Sequence, residues 1–155
     1  GGKSSITGFE FYYKENKTYI NSHEIPLGSD IVLKITLIDH SLEKRGLFFN
    51  IEIHSMEGYP ITSFGNEFTS DKVQYDGINH SHEFELCVDQ LLLMPGSYRV
   101  NIWITDMKYG ALGYFKDASR LKVLDNDIYG SGKIPTKGIQ GLFITKSKTR
   151  LAPKY

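Results

Sequence analysis

The residues best equipped for chemistry lie around the one tryptophan, in the run Tyr98-Arg99-Val100-Asn101-Ile102-Trp103-Ile104-Thr105. Side chains alternate along a strand, so Tyr98, Val100, Ile102 and Ile104 share one face and Arg99, Asn101, Trp103 and Thr105 share the other. Trp103 therefore falls on the polar face, beside an amide and a guanidinium. An indole face is apolar and slightly negative, and the axial C–H groups of a pyranose are apolar and slightly positive. The two surfaces suit stacking. Amide and carboxylate groups can then pair with vicinal hydroxyls, and Arg99 or Lys122 can answer an acidic sugar or a phosphate. An aromatic on an outer face also packs under a loop or against a second copy of the chain.

A second run has the same design. In Leu47 to Ser55, Phe49, Ile51 and Ile53 form an apolar face, and Phe48, Asn50, Glu52 and His54 form a polar face with an aromatic in it. If the strands around 47–55, 98–105 and 119–124 share one sheet, as in an immunoglobulin-like order, these residues gather on one outer surface with Arg120 and Lys122. The candidate glycan-binding set is Trp103, Asn101, Arg99, Asn50, Glu52, His54 and Phe48.

Other chemistries find little support. His80-Ser81-His82 puts two imidazoles on one face of a strand, but the spacing is not that of a zinc motif, and a solvated strand start is the simpler reading. No Gly-x-Ser-x-Gly elbow or local cysteine signature points to a nucleophile. Gly130-Ser131-Gly132-Lys133 lacks the spacing of a phosphate-binding loop and reads as a turn. Paired carboxylates for glycoside hydrolysis would be a spatial feature, with Glu52 facing another acid. No catalytic residue, metal or cofactor is expected.

The elements that must hold these residues are strands. Ten tyrosines, nine phenylalanines and fifteen glycines in 155 residues, with no capped helical periodicity, indicate an all-β chain. Strands are expected over 6–13, 18–21, 31–38, 47–55, 61–64, 67–69, 83–88, 98–105, 119–124 and 139–145, with turns at 26–30 and 95–96 and loops at 40–46 and 106–113. Half-polar alternation over about seven to nine well-formed short strands describes an antiparallel β-sandwich. Eighteen basic and eighteen acidic residues cancel, which argues against nucleic acid or an anionic membrane as the main partner. No apolar run approaches the roughly 20 residues that span a bilayer, and no signal peptide is evident, so a soluble domain is expected. The single Cys87 rules out an internal disulfide and fits a reducing compartment. Residues 1–5 read as a cloning scar or a disordered start, 6–146 as one domain of a longer protein, and 147–155 as a basic tail. The run from Ile139 to Thr145, at the end of a turn-rich connector, can pair within its own sheet or be exchanged with a second copy.

Several segments in this order carry a likeness: Ile6-Thr7-Gly8-Phe9-Glu10-Phe11, Pro26-Leu27-Gly28-Ser29-Asp30, Leu92-Leu93-Met94-Pro95-Gly96-Ser97-Tyr98-Arg99-Val100, Ala118-Ser119-Arg120-Leu121-Lys122-Val123, Asp127-Ile128-Tyr129-Gly130-Ser131-Gly132-Lys133-Ile134-Pro135 and Gly138-Ile139-Gln140-Gly141-Leu142. Together they resemble the C-terminal carbohydrate-binding domain of Wzt-type proteins, the ATP-binding subunits of ABC transporters that export O-antigen and related polysaccharides. The resemblance implies a jelly-roll or immunoglobulin-like sandwich and a homodimer made by exchange of the C-terminal strand. It also implies a cytoplasmic place beside the inner membrane, joined through an ATPase domain to a membrane-spanning transporter subunit. The function implied is non-catalytic recognition of the end of a nascent polysaccharide, which selects it for export. The alternative is a protein-interaction sandwich using the same aromatic and polar face.

Overall fold

The computed structural model describes residues 4–39, 45–67, 69, 71–75, 81–108, 110–136 and 141–153. They form ten strands: β1 (Ser4–Glu15), β2 (Thr18–Asn21), β3 (Glu24–Pro26), β4 (Ile31–Asp39), β5 (Arg45–Ser55), β6 (Pro60–Gly65), β7 (Val73–Tyr75), β8 (Ser81–Val88), β9 (Gly96–Asp106) and β10 (Gly110–Leu124). One sheet runs β2-β1-β4-β8; the other runs β3-β10-β9-β5-β6, with β7 also on β5. All pairings are antiparallel except β3 on β10. The chain is all-β, a two-sheet sandwich, as its alternation predicts. No helix among the described residues is long and apolar enough to cross a membrane.

The period-2 pattern places the core. Ile31, Leu33, Ile35 and Leu37 of β4 pack against Phe49, Ile51 and Ile53 of β5 and Tyr98, Val100, Ile102 and Ile104 of β9, all buried. Tyr98 keeps its polar end satisfied by donating to the Met94 carbonyl. β3 carries the chain into the second sheet, and Ile25 and Leu27 are fully buried there. At the expected 26–30 turn, Gly28 has φ 83° and Ile128 Cγ2 would stand 2.9 Å from a Cβ at that position, so only glycine fits.

Four expectations are revised. Glu67 and Thr69 lie in a turn, and the strand following β6 is β7. On β8, Phe84 is buried as expected, but Leu86 and Val88 are only half-buried, because β8 is the edge of its sheet. β10 starts at Gly110, not at Ser119, so most of the expected 106–113 loop is a tight hairpin. Its turn is held by Lys108 N–H donating to Asp106 Oδ1 at 2.7 Å. At the C-terminus, the described part of the 139–145 run makes one bridge rather than a strand: Leu93 faces Phe143, Met94 N–H donates to Leu142 O, and Ile144 N–H donates to Leu92 O. Ile144 is buried by that contact, within the same chain. β1 already includes Ser4 and Ser5, in register with Asp39 and Ile38.

Candidate functional site

The strands around 47–55, 98–105 and 119–124 do share one sheet, and its register sets out their outward side chains in rows. Phe48 stands beside Thr105 of β9. The next row runs Gly65, Asn50, Trp103, Tyr114 across β6, β5, β9 and β10. The row after it runs Ser63, Glu52, Asn101, and a last row runs Pro60, His54, Arg99, Arg120. All seven sequence-predicted residues therefore lie on one outer face.

Trp103 is 37% exposed. Its ring is stacked on Tyr114, with centroids 4.0 Å apart and planes 22° from parallel. The pair forms an aromatic ridge with Asn50 on its other flank. Beyond Asn50 the row ends at Gly65, where a Cβ would stand 1.8 Å from the Phe49 carbonyl oxygen, so no side chain fits. That close approach is fixed by Asn66, which is buried and continues the ladder where β6 stops. It accepts from Phe49 N–H at 2.7 Å and donates to Leu47 O at 2.9 Å and Asp71 O at 3.1 Å.

Asn101 differs from its neighbours. It is only 4% exposed, and its amide is engaged within the protein. Nδ2 donates to the Tyr114 hydroxyl at 3.0 Å, and Oδ1 accepts from Asp117 N–H at 2.6 Å. The second bond holds a bulge in β10 between Phe115 and Ser119, where Asp117 has φ 52°. Asn101 thus fixes the ring that backs the indole.

Glu52, His54 and Tyr114 complete a polar network. His54 Nδ1 lies 3.2 Å from the Gly58 carbonyl oxygen and its Nε2 lies 3.4 Å from Glu52 Oε1, so both ring nitrogens face oxygen atoms. The Tyr114 phenol is raised above its ordinary value, first by partial burial and then by the charge and hydrogen bonding of Glu52; the Asn101 amide acts in the opposite direction. Arg120 Nη2 lies 3.4 Å from Asp117 Oδ2. Arg99 Nε is buried and has no hydrogen-bond partner among the described residues.

Tyr114 and Asn66 were missed by the sequence reading. Asp106 and Gly110 bracket a short turn, a hairpin signal that would have carried β10 back along β9 and set an aromatic opposite Trp103. Asn66 has no such signal, since two of its three partners come from β5. His80, one half of the weighed histidine pair, lies outside the described residues, and no group of three His, Cys, Asp or Glu residues among the described ones is placed to hold a metal.

No family model matches the chain, and no curated protein matches it in sequence. Among solved structures, the crystal structure of the C-terminal domain of Wzt is similar in fold. The TM-score is 0.71 over 98% of this chain and 86% of that one, at 11% sequence identity. At that identity the likeness speaks for the fold. It coincides with the resemblance carried by the ordered motifs.

Proposed function

We propose that this domain is a non-catalytic carbohydrate-binding module that recognises the end of an O-antigen-type polysaccharide and selects it for export by an ABC transporter. The observation that carries this reading is the exposed, Tyr114-backed indole of Trp103, flanked by Asn50 and set on a rigid sheet. A sugar ring stacks on the aromatic ridge. Asn50, Glu52 and His54 bond its hydroxyls, and Phe48 extends the apolar edge. Asn101 positions Tyr114 from beneath, and Arg99 stands at the far end for an anionic substituent. One stacked ring and a few hydrogen bonds correspond to millimolar affinity, about −4 kcal/mol.

The fold likeness supports placing the module at the cytoplasmic side of a transporter, linked to it through an ATPase domain. In this reading two copies pair by exchanging the segment around 139–145, whose described part is held to Leu92–Met94 by a few contacts that a partner's segment can reproduce. Two sites per dimer raise the effective affinity for one long polymer.

Trp103 is the only tryptophan, so its fluorescence reports the site directly. Titration with an O-antigen-type polysaccharide is expected to give a saturable change in emission. The absence of any response, with saturable binding of a protein partner to the same face, would transfer the surface to protein recognition. Light scattering checks the dimer: removal of residues from Gly138 onward is expected to leave a monomer or an aggregate.

A further inference from the structure

We propose that the cleft between the two sheets at the β8 edge is a docking site for an extended peptide of a partner protein, with basic and apolar residues in alternation. This site is separate from the Trp103 ridge, which lies on the outer face of the other sheet, and does not depend on what that ridge binds. β8 pairs with β4 on one side and with no described strand on the other. Across from it, β6 stops at Gly65 and β7 starts at Val73. Between them the Asn66 side chain, bonded to Phe49 N–H and Leu47 O, borders β5. The two sheets part here, and a cleft of about 470 Å³ reaches in as far as Phe49. Phe49, Phe64, Val73, Phe84 and Leu86 give it an apolar floor, and Leu86 stays half-buried for want of a neighbour on the open side. Asp71, Glu83 and Glu85 stand exposed at its mouth, and among the described residues that line it none is Lys or Arg.

An open strand edge reads a backbone, because a peptide laid beside it extends the ladder of hydrogen bonds. The alternation of β8 then sets the peptide's sequence. Positions beside Phe84 and Leu86 point between the sheets, toward Phe49 and Phe64, and take apolar side chains. Positions beside Glu83 and Glu85 point outward and take basic ones, since opposite charges across a strand pair attract. Lys34 Nζ goes to Glu83, 3.3 Å from Oε2, which leaves Glu85 and Asp71 without a cation at that distance among the described residues. A second copy of the chain fits less well. β8 laid antiparallel on β8 sets the glutamates of the two copies against one another, and like charges so placed oppose pairing. The chain's own tail, Lys146-Ser147-Lys148-Thr149-Arg150-Leu151, alternates its basic residues but sets serine and threonine between them, where the cleft asks for apolar groups.

The test uses the whole chain and fluorescein-labelled synthetic hexapeptides, read by anisotropy. They are alternating Lys-Val-Lys-Val-Lys-Val, its block isomer Lys-Lys-Lys-Val-Val-Val, alternating Glu-Val-Glu-Val-Glu-Val, and the tail sequence Lys-Ser-Lys-Thr-Arg-Leu. The alternating basic peptide is expected to bind at least about tenfold more tightly than each of the others. Methylating every second backbone nitrogen of that peptide, in each of the two phases, is expected to abolish binding in one phase only, the one whose N–H groups face β8. Glu83→Gln combined with Glu85→Gln, both at exposed positions, is expected to bring the preference for the basic over the acidic alternating peptide to within about threefold. Cys87, the only cysteine, is exposed and lines the cleft, so a bound peptide is expected to slow its alkylation by iodoacetamide severalfold. Equal binding of the block isomer would reduce the effect to attraction by charge and overturn the site. So would unchanged Cys87 alkylation at saturating peptide, or no binding by any of the four. A tail peptide that binds as tightly as the alternating basic one would overturn the partner protein as occupant and assign the cleft to a second copy of this chain.

Discussion

The two outer faces of the sandwich are built from similar residues and end in different states. On the β2-β1-β4-β8 sheet, Lys34 is in register with Glu10 on one side and Glu85 on the other, and its Nζ lies 3.3 Å from Glu83 Oε2. Tyr12 spends its hydroxyl on Glu10 at 2.7 Å. Lys34 thus stands among three carboxylates, and the aromatic is tied to the sheet's own carboxylate. On the β3-β10-β9-β5-β6 sheet, two aromatics stack on each other and stay exposed, while Arg99 stands between His54 and Arg120. A surface with a part-exposed aromatic pair and a guanidinium Nε without a partner among the described residues has interactions left for a ligand.

The sharpest contrast is steric. Both faces contain a glycine in close contact, Gly65 beside Asn50 and Gly8 beside Thr36. A Cβ at Gly65 meets the Phe49 carbonyl oxygen at 1.8 Å, which is backbone and cannot move aside; at Gly8 it meets Thr36 Oγ1 at 2.9 Å, which can rotate. Gly65→Ala is expected to cost about 3 kcal/mol and Gly8→Ala about 1 kcal/mol in urea unfolding. Equal costs would mean that the Gly65–Asn66 end of β6 adapts, and that the open end of the Asn50 row is not enforced.

Removing a single polar side chain separates the faces next. Asn101→Ala leaves the Asp117 N–H without its acceptor and frees Tyr114, at a cost of about 2 kcal/mol, and glycan binding is expected to weaken with it. Lys34→Ala breaks an exposed ion pair and is expected to leave the urea midpoint almost where it was. For the ligand itself, Trp103→Ala is expected to weaken glycan binding at least about tenfold, close to 1.4 kcal/mol, while lowering stability by about 1 kcal/mol through loss of the stack. Tyr12→Ala is expected to leave binding unchanged. NMR titration reads both variants, since neither measurement then depends on the indole.

What was legible in the sequence follows from where the strand period is unbroken. β4, β5 and β9 alternate without interruption, so their core faces and the outward set Phe48, Asn50, Glu52, His54, Arg99, Trp103 could be read directly. Alternation also put Asn101 on the outer face, but it could not show that the amide is committed, because its partner Asp117 lies at a bulge 16 residues away. Tyr114 was hidden for the same reason. β10 carries register shifts between Ala111 and Gly113 and between Phe115 and Ser119, and each shift resets which residues face out. Asn66 was invisible because its role is to replace a strand's backbone at a sheet edge, which is defined only by β5 in space. Irregularities that build the site are thus the features that periodicity cannot carry.

The finest comparison is between the two tyrosines. Both phenols are raised above the ordinary value of 10.0, Tyr12 first by its hydrogen bond to Glu10 and Tyr114 first by burial, with Glu52 second. A raised phenol means that the folded chain holds the proton more tightly than the unfolded one. The stability it lends is present in full below the unfolded value and is lost as pH rises through the folded one. Tyr114 is 40% exposed, so solvent screens this contribution and the effect on stability is small. Its site information is larger. Tyrosinate quenches an adjacent indole, so Trp103 emission in an alkaline titration isolates Tyr114 from the other nine tyrosines. Glu52→Gln is expected to bring the Tyr114 titration down only part of the way, because burial remains. Glu10→Gln is expected to return Tyr12, followed by NMR, most of the way. If Glu52→Gln alone restored Tyr114 to the ordinary value, the ring would be solvated rather than packed against Trp103 and Asn101, and the backing that makes the indole a rigid platform would be lost.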